Sequence, residues 1–145
     1  VRTYIASGNV LFKSDRPGDV LEGELEAMIE REFGLNVLVL IRSRAQMRNI
    51  VSKAPPGFGQ RPDVYHSDVI FLKKPLTAAK VMKVIELREG VDQAWPGNGV
   101  FYFARLSERR AQSKLSKFAS TAEYKLASIR SWTTTTKLAE LLEAL

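Results

Sequence analysis

Residues 55–66, Pro-Pro-Gly-Phe-Gly-Gln-Arg-Pro-Asp-Val-Tyr-His, hold three prolines and two glycines in twelve positions. No helix or central strand survives such a run, because proline removes backbone donors and glycine removes stiffness. The stretch reads as a linker between a first unit, residues 1–54, and a second, residues 67–145. At 145 residues the chain is long enough for two small units sharing a core.

The second unit carries the fuller pattern. Strand signals lie at 67–72, 92–95, 100–105 and 127–132, with helical periodicity over 77–89 and 107–122. Pro96-Gly97-Asn98-Gly99 is a turn between the second and third of these strands. The order is βαββαβ, the split-βαβ or ferredoxin-like arrangement, followed by a trailing helix over 134–144 with Leu138, Leu141, Leu142 and Leu145 inward.

The first unit reads as strand 2–5, a turn at Ala6-Ser7-Gly8, strand 9–13, helix, strand, helix. Asp19 and Glu22 form a capping-box pattern, Leu21, Leu25, Met28, Ile29 and Phe33 follow at helical spacing, and Gly34 suits the C-terminal cap. Residues 36–41, Asn-Val-Leu-Val-Leu-Ile, form an apolar run expected to be a strand buried on both faces. Ser43 and Gln46 open the next helix, whose stripe is Met47, Ile50, Val51 and Ala54.

The expected fold class is therefore α+β, with two ferredoxin-like (βαββαβ) subdomains, each with a trailing helix. The first lacks its initial strand and helix. That strand is central in such a sheet, so its absence leaves two strand edges unpaired. The expectation is a truncated chain, or a central strand supplied from elsewhere.

Arg2-Thr-Tyr-Ile-Ala-Ser-Gly-Asn-Val-Leu-Phe12 resembles the corresponding segment of the bacterial family grouped as domain of unknown function 1697. Ser113-Lys114-Leu115 and Arg130-Ser-Trp-Thr-Thr-Thr-Thr-Lys-Leu138 are similar to that family's Ser-Lys-Leu and Arg-Asn-Trp-x-Thr-Val-x-Lys-Leu signatures. Ser131 and Thr135 stand where the family tends to carry Asn and Val. The family usually opens with a strand, loop and helix that this sequence does not contain. The resemblance implies a pair of related α+β subdomains and no mechanism.

Chemistry-bearing motifs are few. Cysteine is absent, which excludes disulfides and thiol chemistry and is compatible with a cytoplasmic location. No apolar run approaches the roughly 18 residues of a membrane span, so no membrane partner is expected. His66, the lone histidine, lies between Asp63 and Asp68 without the spacing of a zinc site, so no metal is expected. Gly-x-Ser-x-Gly, P-loop and Rossmann patterns are missing, and no cofactor is expected. Glu22 and Glu26 share a helix face and read as solvated. Phe101 and Phe103 read as core, covered by the last helix, more readily than as a base-stacking platform.

A net charge of +6 favours anionic partners as well as plain solubility. The strongest candidate site is the C-terminal strand-to-helix junction. Thr133 or Thr134 would cap the last helix, whose N-terminus then faces an anion beside Arg130, Lys137 and Lys114. Ser7 and Asn9, in the tight N-terminal turn, complete the candidate set. The leading expectation is a cytoplasmic module binding an anionic ligand, a nucleotide or nucleic-acid backbone. The alternatives are an enzyme with a cleft joining Ser7, Asn9 and Arg130, and an interaction module. That module would use an open sheet edge to form a homo-oligomer or to take up a strand from the missing N-terminal segment.

Overall fold

The computed structural model describes residues 2–4 and 8–145 and is a mixed α+β structure with two separate sheets. A two-stranded antiparallel sheet pairs β1 (Arg2–Tyr4) with β2 (Asn9–Leu11). A four-stranded sheet holds β3 (Tyr65–Leu72), β4 (Asp92–Pro96), β5 (Val100–Leu106) and β6 (Ala127–Ser131) in the order β4-β5-β3-β6, with every neighbouring pair antiparallel. Helices α1 (Gly18–Phe33), α2 (Arg44–Ser52), α3 (Ala78–Val84), a one-turn α4 (Leu115–Phe118) and α5 (Trp132–Glu143) complete the regular elements. Among the described residues no helix is long and apolar enough to cross a membrane.

Strand alternation divides the core of the larger sheet into two layers. Ile70, Leu72, Phe101 and Phe103 point to one face, where Val81 of α3 and Leu115 and Phe118 of α4 cover them. Val69, Phe71 and Tyr102 point to the other face, against Met47 and Ile50 of α2 and Leu138 and Leu142 of α5. Phe101 and Phe103 are thus fully buried, but α3 and α4 cover them, and the last helix lies on the opposite side.

The Pro/Gly stretch has a packing role of its own. Phe58 is buried between Trp95, Tyr102 and Trp132, meeting all three rings edge-on at centroid distances of 5.8, 5.3 and 5.1 Å. Gly59 takes φ +73°, and a Cβ there would overlap the Trp132 indole. Beneath this cluster the Tyr102 hydroxyl donates to the Ile50 carbonyl at 2.6 Å, tying the end of α2 to the sheet. Tyr102→Phe is expected to lower unfolding free energy by about 1.5 kcal/mol in a urea titration, because that carbonyl loses a buried donor.

Several sequence expectations are corrected. The helix expected over 107–122 is broken into a 3-10 segment at Ser107–Gln112, α4, and a second 3-10 turn at Ala122–Leu126. Arg109 departs from helical angles, and the Asp92 carboxylate accepts from the Lys114 amide at 2.8 Å, which fixes the break. The helix expected over 77–89 stops at Val84, where Ile85 turns extended. α1 has no side-chain cap, and Asp19 lies inside its first turn rather than at the N-cap.

The expected strand over 36–41 has no strand partner among the described residues, and Val37–Ile41 are half-buried rather than buried on both faces. Side chains hold it instead. Glu26 Oε2 accepts from the Val39 amide at 3.0 Å and Glu22 Oε2 from the Ile41 amide at 2.7 Å. These two glutamates are therefore bonded to backbone, and they do not form the solvated face expected from their spacing.

Candidate functional site

β6 ends at Ser131 and α5 begins at the next residue. The junction is capped by Ser131, whose hydroxyl accepts from the Thr134 amide at 3.1 Å. The expected caps, Thr133 and Thr134, instead occupy the first helical turn. Thr133 is exposed, and the Thr134 hydroxyl lies 3.1 Å from the Ser131 hydroxyl. Thr135 is fully buried and donates to the Ser131 carbonyl at 2.9 Å. With Ser131 as the cap, the helix begins two residues before the expected start at Thr134, and Trp132 turns inward onto Phe58.

Arg130 shares a sheet face with Ser128 and, through its register with Val69, with the side covered by α2 and α5. Its guanidinium is clamped. Nε donates to Asn9 Oδ1 at 2.9 Å, and Nη1 donates to Ser128 Oγ at 2.8 Å and to the Ile129 carbonyl at 2.9 Å. Asn9, itself buried, donates from Nδ2 to the Tyr4 carbonyl at 3.2 Å, so one asparagine joins the β1–β2 hairpin to the edge strand β6. Burial lowers the Arg130 pKa from its ordinary value and the nearby Tyr124 opposes that shift. The guanidinium nevertheless remains charged at any physiological pH.

The other expected members divide. Lys137 is one turn into α5 and reaches Glu140 at 3.4 Å, an exposed pair of little energetic weight. The Lys114 backbone is anchored to Asp92 on β4, the opposite edge of the sheet from β6, so Lys114 does not join Arg130. Ser7 lies outside the described residues. Asn9 and Arg130 are in direct contact. Two depressions lie away from that contact, one of about 430 Å³ beside Leu21, Leu25 and Met28, the other of about 300 Å³ between α2 and α5. Ser128 and Ser131 were not foreseen. Both sit on the strand leading into a helix, where short hydroxyl side chains serve as caps and clamps.

A second polar cluster lies on the α3–α4 face of the sheet. The Asp68 side chain is only 6% exposed, with His66 Nε2 at 3.6 Å and Arg105 Nη2 at 3.9 Å from its Oδ2. Asp68 Oδ2 and Arg105 Nε make no hydrogen bond within the described residues. Burial raises the Asp68 pKa, opposed by His66, Arg105 and Arg110, and burial lowers that of His66, opposed by Asp68. Among the described residues no group of three or more His, Cys, Asp or Glu side chains is placed to hold a metal.

An α+β chain whose N-terminal hairpin is fastened through Asn9 to an edge strand is the class that fold and site define. The model of a family described as protein of unknown function (DUF1697) matches residues 1–102, and the chain belongs to that family. Arg130 and α5 lie beyond the matched span. No curated protein matches the chain. Among solved structures, the conserved bacterial protein SP0830 from Streptococcus pneumoniae is similar, with a TM-score of 0.75 at 20% identity. The alignment covers 97% of this chain and 79% of that one, and at this identity the likeness is one of fold.

Proposed function

We propose that the chain is a binding module for an anionic ligand, a nucleotide or nucleic-acid backbone, held at the junction of β6 and α5. The observation that carries this reading is the clamped Arg130 guanidinium, fixed by oxygens of Asn9, Ser128 and Ile129 one residue before the cap of a twelve-residue helix. Those three oxygens are uncharged and orient the cation. The N-terminal amides and dipole of α5 add a positive field on the same side. Lys137 is free to turn from Glu140 towards an incoming phosphate, since surface pairs hold weakly. In this reading the larger sheet is a ferredoxin-like unit and the first half a related α+β unit. The order β4-β5-β3-β6 supports that assignment. A bacterial, cytoplasmic setting accords with the neighbour's bacterial source and the lack of cysteine.

The test is anisotropy of a labelled single-stranded oligonucleotide at low and moderate salt. Affinity is expected to fall steeply with salt, about one counterion being released per phosphate contact. Arg130 also fastens the hairpin, so the sharper variant is Thr133→Asp, which places a carboxylate at an exposed first-turn position. It should weaken binding roughly tenfold while thermal stability holds or rises slightly, because an acid at that end suits the helix dipole. Absence of binding at low salt, or undiminished binding by the variant, would remove the reading.

A further inference from the structure

Two stretches of chain meet at the β4 edge of the larger sheet, the edge away from β6. The Asp92 carboxylate draws them together, its Oδ2 accepting from the Arg88 amide and from the Lys114 amide, each at 2.8 Å. The turn before β4 and the end of the 3-10 segment Ser107–Gln112 are thereby held side by side. On this seam Gln112 receives two arginines. Its carbonyl accepts from Arg88 Nε at 3.2 Å, and its Oε1 accepts from Arg109 Nε at 3.1 Å and from Arg109 Nη2 at 2.7 Å. Arg109 Nη1 lies 3.9 Å from where a Cβ at Gly90 would stand, so this guanidinium rests against the turn that follows Arg88.

Both arginines are exposed, and among the described residues neither forms an ion pair. Glu89 and Glu108, their neighbours in sequence, pair with neither, and Glu86 lies 4.0 Å from Lys117. A guanidinium has five N–H donors. Arg88 commits one of them to Gln112 and Arg109 commits two. The two oxygens of one glutamine are at most about 6 Å apart by covalent reach, so the two guanidiniums stand within about 12 Å of each other. Like charges at that spacing repel, and the glutamine supplies no negative charge to offset them. A diphosphate presents acceptor oxygens along its length and can bond both forks at once, whereas one carboxylate fits one fork.

We propose that Arg88 and Arg109, spaced by Gln112, bind a diphosphate group, either inorganic pyrophosphate or the diphosphate of a nucleotide. The arginines are the ligand-contacting groups, and Gln112 is a positioning residue that holds the forks apart and aims them. The site lies across the sheet from the β6–α5 junction and is independent of it.

Calorimetric titration of the full chain with sodium pyrophosphate, at fixed ionic strength, is the test. Pyrophosphate should bind at least tenfold more tightly than sulfate. Arg88→Gln and Arg109→Gln should each weaken it roughly tenfold, the scale of one charge-assisted contact. Arg44→Gln, which removes an exposed charge from α2, should change it less than twofold. Gln112→Glu is the sharpest variant, since it keeps the acceptor and the shape while setting a carboxylate between the forks, and binding should be lost. Adenosine diphosphate titrated in parallel separates the two sources. An affinity at or above that of pyrophosphate assigns the site to nucleotides, and one tenfold or more below assigns it to the free anion. Pyrophosphate that binds no better than sulfate, or that binds Gln112→Glu as it binds the parent, overturns the proposal. A loss in Thr133→Asp equal to that in Arg109→Gln would put the anion at the α5 junction and overturn it as well.

Discussion

Phe58→Ala is expected to lower unfolding free energy by about 4 kcal/mol, the scale of a buried phenylalanine truncated in a core that cannot collapse around the loss. Phe58 is the hub of an aromatic cluster, touching Trp95 from β4, Tyr102 from β5 and Trp132 from α5. Its neighbour Gly59 is fixed at positive φ against the Trp132 ring, so the backbone cannot easily shift to fill the space. A urea titration should show the midpoint falling with the slope unchanged, and the melting temperature should drop by roughly 10 °C. Phe58→Leu should recover more than half of the loss, because it restores most of the volume without the ring edges. A loss below about 1 kcal/mol, the scale typical of surface and small changes, would mean that residues 55–66 are only a connection.

That outcome bears on what the sequence makes legible. The Pro/Gly run is plain to read as a break in periodicity, but its single phenylalanine gives no local sign that it inserts between three other rings. Local signals fared well where the physics is local. Ser43 and Gln46 form a complete capping box, and Gly34 ends α1 at φ 65°. β3 and β5 lie where their continuous apolar runs place them. Expectations failed where a distant group decides the matter. Residues 107–122 have helical spacing throughout, yet the Asp92 carboxylate, on another strand, takes the Lys114 amide and breaks the helix. The run Thr133–Thr136 offers several equivalent caps, and the extended angles at Ser131, where β6 ends, settle which residue serves. Asn9 and Arg130 were grouped in one candidate set by residue type, but their 2.9 Å bond spans 121 residues and no periodicity encodes it. The apolar run at 36–41 carries a strand's composition, while its pairing depends on chain that must come from outside the segment.

The Asp68 cluster gives the other large expected effect. Arg105→Met should cost about 3 kcal/mol at neutral pH, because it leaves a buried carboxylate short of a compensating charge. Asp68 has its pKa raised by burial, so over the window between its unfolded and folded pKa values the native state binds the extra proton. Its contribution to stability therefore improves as pH falls through the folded pKa and worsens as pH rises through that window. His66 runs the other way. Its pKa is lowered by burial, the unfolded state binds the extra proton, and stability falls as pH drops below the unfolded imidazole value towards the folded one. Thermal melts from pH 4 to pH 8 should therefore show a shallow loss on acidification near the ordinary imidazole range, partly reversed at lower pH as Asp68 protonates. In Arg105→Met the destabilisation should shrink towards acid pH, since a neutral carboxyl no longer needs the guanidinium. Arg105→Met/Asp68→Asn should recover most of the lost stability at pH 7, and its melting temperature should lose the acid-side rise. A single variant equally destabilised at every pH would mean that Arg105 acts through packing of its stem alone, and that the charge on Asp68 is compensated by His66 and Arg110 without it.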